Sequence, residues 1–244
     1  MWRLLVIAAL LGLWEGAPRA GLVNPNFLTP FSQVADSLWL LALSGELTKH
    51  ALVSLQRIAL GLGVSILIGV PLGLLTGWYR GFEQAVDGPL QFCRQISAIA
   101  LFPVFILLFG IGELSKVVII LWASVWPVLL NTITGVKGID PILLRSAQSM
   151  GARGFTLFRK VILPAAAPSI FTGVRLGAAY AFMVLVAAEM IGANAGLGFL
   201  VLYSQEVFRI PDMYAAIVAL AAFGLLLNKV LLVLERNATA WREA

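Results

Sequence analysis

The sequence predicts an all-α, polytopic membrane protein with about six transmembrane helices, and three observations lead there. Of its 244 residues, 60% are hydrophobic and 12% charged, against about 45–50% and about 25% in soluble domains. A soluble fold of this length has nowhere to hide that much apolar surface. Apolar runs also recur at the length a helix needs to cross a bilayer core, roughly 20 residues. Finally, the basic residues lie between those runs instead of forming a stripe. The net charge of +5 therefore reads as a topology signal, and no nucleic-acid partner is expected. The chain 1–244 reads as a single membrane domain in contact with the lipid bilayer, with little outside it.

The expected spans are approximately 2–16, 52–78, 96–112, 116–135, 169–191 and 214–234. The first is the weakest, because its uninterrupted run is only Leu4 to Trp14. Arg3 and the small residues near Ala17 and Ala20 also fit a cleaved signal peptide; a retained first span is the expectation. In the second span Gly69, Gly73 and Gly77 repeat every four residues, and in the fifth Gly173 and Gly177 do so. Small residues at that spacing let helix backbones approach closely. Packing within one subunit is expected of them in preference to a dimer face. Pro71, Pro103 and Pro127 fall inside spans and are expected to kink or break them.

Loop charges set the direction. With the N-terminus in the cytoplasm, the inside holds Arg3, Arg80, Arg94, Lys137, Arg145, Arg153, Arg159, Lys160, Arg236 and Arg242. The outside then holds Arg19, Lys49, Lys116 and Arg209, ten against four. The positive-inside rule favours that orientation, with both termini cytoplasmic.

The longest cytoplasmic connection, 136–168, is the most informative stretch. Asp140 is placed to cap a helix with Pro141 at its first position. That helix runs to about Met150, where Gly151 supplies a turn that would strain a side chain. A second amphipathic piece follows, stopped by Leu163-Pro164. The apolar Ile142, Leu143, Ala147 and Met150 suit a groove on a partner. An interfacial helix anchored on lipid by Arg153, Arg159 and Lys160 suits the pattern equally well.

Here the chain resembles a family. Ala147, Gly151, Leu163 and Pro164 stand at the spacing of the cytoplasmic "EAA" loop of bacterial binding-protein-dependent ABC importer permeases. Arg145 departs from the expected Glu, Ser146 from Ala and Val161 from Ile. Further pieces resemble the nitrate, taurine and alkanesulfonate branch: Ser54-Leu55-Gln56-Arg57 with Gly61, Pro71-Leu72-Gly73-Leu74 and Phe109-Gly110-Ile111-Gly112-Glu113. Asn131-Thr132, Gly173-Val174-Arg175, Glu189 and Gly196-Leu197-Gly198 follow in order, so that the likeness spans Leu22 to Trp241. Ser97 departs, since that branch often has Pro there.

The resemblance implies a type I importer in the bacterial inner membrane. Two permease copies, a homodimer in this branch, form the pathway. Two ABC ATPase subunits dock on their EAA loops, and a periplasmic or lipid-anchored binding protein delivers substrate. Arg145, Ser146, Ala147, Met150, Gly151, Leu163 and Pro164 are the residues expected to carry ATPase coupling. Nitrate, taurine or an alkanesulfonate is the implied cargo. Another small organic solute, such as a vitamin precursor, is the alternative.

No enzyme is expected, and no catalytic residue or metal site. One His and one Cys make a His/Cys metal site improbable, so His50 and Cys93 are given no role. A phosphate-cradling loop needs Gly-x4-Gly-Lys-Ser/Thr, and the chain has no Gly-Lys pair. No cofactor is therefore expected on this chain, with ATP and Mg on the partner ATPase. Leu43-Ser44-Gly45-Glu46 resembles an ABC signature by chance, and Asn237-Ala238-Thr239 is a glycosylation triplet in a cytoplasmic tail. A secondary transporter would show inverted repeats, and no convincing repeat is present. Charges inside spans are costly and are functional candidates. Arg57, Arg175 and Glu189 are the pathway candidates, with either Arg giving a positive potential suited to small anions, while Lys229 snorkels.

Overall fold

The computed structural model describes residues 2–24 and 27–238. Thr239, Trp241 and Arg242, which enter the tail, resemblance and topology readings above, lie outside the described residues. The elements, in order, are α1 (Trp2–Arg19), α2 (Phe31–Leu43), α3 (Glu46–Trp78), α4 (Arg80–Arg94), α5 (Ala98–Phe109), α6 (Glu113–Lys137), α7 (Pro141–Ser149), α8 (Gly154–Leu157), a π turn (Phe158–Ile162), α9 (Leu163–Gly192), α10 (Leu197–Glu206) and α11 (Ile210–Ala238). All the regular structure of the described residues is helical, as the composition predicts.

Four helical stretches are long and apolar enough to cross a membrane: Glu46–Trp78, Glu113–Lys137, Gly154–Gly192 and Ile210–Asn237. They contain the second, fourth, fifth and sixth expected spans. The third expected span is only part of a bent pair, α4 and α5, which meet at 94° and make a fifth crossing if counted together. Residues 80–94, read above as loop, are helical because Phe82, Val86, Leu90 and Cys93 recur every three or four residues. The first expected span is helical as α1, but Glu15 and Arg19 in its last turns leave it outside that apolar set. The short apolar helix α2 is an addition.

Two compact units emerge, one formed by Met1–Leu55 with Val186–Phe223, the other by Gln56–Leu185 with Gly224–Ala244. In the first, Glu15 of α1 accepts from the backbone N–H (2.9 Å) and hydroxyl (3.0 Å) of Ser32 at the start of α2. Ser37 of α2 donates to Asp212 of α11, which also pairs with Arg209 at 2.6 Å.

In the second unit the glycine row of α3 lies on α6. A Cβ on Gly73 would come within 2.6 Å of Thr132, and one on Gly77 within 2.7 Å of Val136. A Cβ on Gly173 of α9 would meet Asn131 at 2.7 Å. The small-residue repeats therefore do serve contacts within this chain, where backbones approach too closely for a methyl group. α3 and α6 run unbroken through Pro71 and Pro127, so these prolines do not break the spans. Large apolar side chains such as Leu67, Leu107 and Leu225 stay exposed, as lipid-facing positions should.

Candidate functional site

The caps of the segment from Gly138 to Pro164, at Asp140 and at Gly151, follow directly from its sequence. The Asp140 carboxylate accepts the Ile142 N–H at 2.7 Å, satisfying a donor that the first helical turn leaves open. Pro141 occupies the first position, where its missing N–H costs nothing. At the other end Gly151 has φ +87°. The Gly151 N–H reaches the Gln148 carbonyl, and the Ala152 N–H reaches the Ala147 carbonyl, both at 3.0 Å. These two bonds define a Schellman cap, which closes α7 with the chain turned sharply away.

The two faces of α7 have different jobs. Ala147 is 4% exposed and packs with Leu74, Val136, Ile139, Leu157, Ile162 and Ala166. The predicted apolar set therefore divides. Ala147 seats the helix on its own subunit, while Ile142 (64% exposed), Leu143 and Met150 (82%) face outward. Phe155, just past the turn, is 74% exposed. Arg145, Ser146, Arg153, Arg159 and Lys160 are exposed around them. The result is an apolar knob with a basic rim, on a helix fixed at both ends.

Leu163-Pro164 does not stop the second piece, in contrast to the expectation. The π turn Phe158–Ile162 runs straight into α9. Its wider hydrogen-bonding pattern sits where the Pro164 ring would otherwise meet the carbonyl four residues back. Leu163 is at the exposed margin and Pro164 half-buried, both in the first turn of α9.

Three of the charges predicted inside spans, Arg57, Arg175 and Glu189, have partners within the chain. Arg57 is 2% exposed, and its Nε and Nη2 each donate to Glu113 at 2.6 Å, a bidentate pair. Glu113 is itself largely exposed, at 66% of its side chain. Arg175 pairs with Glu235 at 3.2 Å, and Thr172 donates to the same carboxylate. Lys229 is exposed. Lys116, assigned above to an outer loop, lies in the first turn of α6 and donates to the Gly112 carbonyl at 2.9 Å.

Glu189 is fully buried and forms the centre of a clamp on α10. Its carboxylate accepts from Ser54 Oγ (2.8 Å) and from the Gly198 N–H (2.8 Å). Ser54 Oγ accepts the Leu197 N–H at 2.9 Å, and His50 Nδ1 accepts the Gly196 N–H at 3.0 Å. Three side chains from two spans thus satisfy successive amides at the start of α10, where a carboxylate also suits the positive end of the helix dipole. Ser54 and the Gly196–Gly198 triplet stand out in the sequence only as pieces of a resemblance, and Glu189 also as a charge inside a span. His50 was passed over, since nothing near it in sequence shows what it bonds.

The profile of one family, described as binding-protein-dependent transport system inner membrane component, matches residues 69–239. The chain is 35% identical over 240 residues to the taurine transport system permease protein TauC of Escherichia coli, covering 96% of this chain and 87% of that one. It is 32% identical over 244 residues to a putative aliphatic sulfonates transport permease protein, SsuC, of Bacillus subtilis, covering all of this chain and 88% of the relative. Among solved structures, an inward-facing MetNI methionine ABC transporter contains a chain that superposes with a TM-score of 0.69 at 19% identity. That match covers 78% of this chain and 94% of the other, and it shows a shared fold.

Proposed function

We infer the working role of this chain from one premise: it belongs to the binding-protein-dependent transport system inner membrane component family. It is a multi-pass permease subunit of an ABC importer, whose family works with an ATPase and a substrate-binding protein. The finer reading is our own. Two copies of this chain form the pathway in a bacterial inner membrane, with both termini cytoplasmic. Two ATPase subunits supply ATP chemistry with Mg, which leaves this chain to transport without catalysis.

The observation that carries the coupling role is the exposed knob of Ile142 and Met150 on a doubly capped helix, with exposed Phe155 just past its turn. A rigid apolar projection ringed by Arg145 and Arg153 suits a cleft on a partner. Ala147, Leu163 and Pro164 then work from beneath, by fixing α7 and the start of α9 to the spans, with Gly151 turning the chain between them. The cargo we propose is a small anionic solute of the sulfonate class, after the taurine and sulfonate permeases that the chain resembles over nearly its whole length. Arg57, Arg175 and Glu189 remain pathway candidates, and Arg57→Gln and Arg175→Gln with wild-type uptake would remove both arginines from transport.

Co-purification tests the central reading. The wild-type chain should hold an ATPase subunit through detergent extraction, and Ile142→Glu with Met150→Glu should release it without unfolding the permease. A complex that survives both changes would refute docking through this segment.

A further inference from the structure

A cleft of about 1070 Å³ opens in the second unit, between the last turns of α3 and the chain just past α7. That is the upper end of the range for small-molecule sites, about 300–1,000 Å³. Leu75, Trp78 and Tyr79 form one wall and Phe158 the other. Phe158 stacks on Phe155, ring centres 6.5 Å apart, which firms its side. Trp78 is half-buried and packs against the core that seats Ala147. Whatever fills the cleft therefore bears on the support of α7.

Position and charge decide what fits. α3 is a span, and it ends here in Trp78-Tyr79. Aromatic rings of this kind stand at the level of the lipid headgroups. Arg153 lines the cleft, is exposed and makes no ion pair among the described residues. Arg80, directly after Tyr79, and Arg159, directly after Phe158, are exposed and unpaired in the same sense. Among the described residues no Asp or Glu lines the cleft. Apolar walls with a basic mouth complement an amphipathic anion, and basic pockets on the cytoplasmic side of spans bind anionic headgroups in this way. A water-soluble anion would leave the walls wet, and a neutral apolar molecule would leave Arg153 unmatched.

We propose that this cleft holds one anionic phospholipid, its acyl chains on Leu75, Trp78 and Phe158 and its phosphate on Arg153. The lipid ties the end of α3 to the chain that seats α7. The inference rests on the importer reading only for the side of the membrane that this segment faces.

Trp78 serves as the reporter. The full chain is placed in phosphatidylcholine nanodiscs that carry a minor share of phosphatidylglycerol brominated on its acyl chains, or the same share of brominated phosphatidylcholine. The Trp78 signal is the difference in fluorescence between wild type and Trp78→Phe. Brominated phosphatidylglycerol should quench it saturably at a low share, and brominated phosphatidylcholine only in proportion to its share. Arg153→Gln should raise the share needed for half-quenching about tenfold, as loss of a hydrogen bond to a charged group does. Gln148→Phe fills the cleft from the exposed side of α7 and should abolish the selectivity. Equal quenching by the two lipids, or an unchanged midpoint in Arg153→Gln, overturns the proposal. Where Trp78→Phe does not fold, selective quenching of total fluorescence that persists in Gln148→Phe overturns it alone. Selectivity that vanishes when the ATPase subunit is added gives the cleft to that contact and overturns the lipid site. Nanodiscs offer both faces the same lipid, so the result is independent of orientation. An intact ATPase complex without selective quenching sinks the lipid site and spares the importer, and selective quenching in a chain that holds no ATPase does the reverse.

Discussion

The α7 turn and the Glu189 clamp solve the same problem, how to fix the end of a short helix, by opposite means. In α7 every group involved lies within a dozen residues of chain. Asp140 caps its own helix, and the Gly151 and Ala152 N–H groups close it on the Gln148 and Ala147 carbonyls. In α10 the cap is assembled from α3 and α9, with Ser54 reaching Leu197 across 143 positions and His50 reaching Gly196 across 146. A local cap leaves the outer face of its helix free to meet a partner. A cap made by distant spans locks its helix into the interior. The same backbone need produces a projecting contact in one place and a buried joint in the other.

Gly196 is the most sensitive position of the clamp. A Cβ there would fall on the Glu189 carboxylate, and its φ of +126° strains any L side chain. Gly196→Ala should cost about 3 kcal/mol or more in stability, from overpacking and backbone strain together. Thermal unfolding in detergent reads this, and a wild-type midpoint would show that the clamp yields. Glu189→Ala comes next, at about 2 kcal/mol, because Ser54 and the Gly198 N–H lose their buried acceptor.

Smaller effects belong to the exposed turn. Gly151→Val asks a β-branched residue to hold φ +87°, at a cost of about 1–2 kcal/mol. No neighbour blocks the added Cβ, so the chain should fold and lose ATPase stimulation by the loaded binding protein. Asp140→Ala should cost about 1 kcal/mol and Asp140→Asn much less, since Asn caps nearly as well. If Asn fails to restore the midpoint, the carboxylate acts through charge and not as a cap. Met150→Ser, at a position 82% exposed, should move stability by no more than about 0.5 kcal/mol and register only in ATPase affinity.

These differences track what could be read without a structure. Asp140, Pro141 and Gly151 were legible because caps and turns are local grammar, set by residues a few positions apart. The glycine rows were legible because the helix period is fixed, so Gly69, Gly73 and Gly77 must share a face. The division of α7 was not, because periodicity marks an apolar stripe without saying that Ala147 goes inward and Met150 outward. The helix α4 was missed because its polar residues break the apolar run that marks a span, even though its amphipathic spacing is regular. The run of helix through Pro164 was missed because a π turn absorbs the proline and has no signature in composition.

By itself, then, the sequence determined the solvent, the helical class, most of the spans and the capped turn at 140–151, since each depends on composition or on contacts close in the chain. Only the tertiary structure decided that Arg57 meets Glu113 and that His50 and Ser54 hold the start of α10. Those contacts join residues dozens of positions apart or more, and the register in which helices pack, which no local pattern records, is what brings them together.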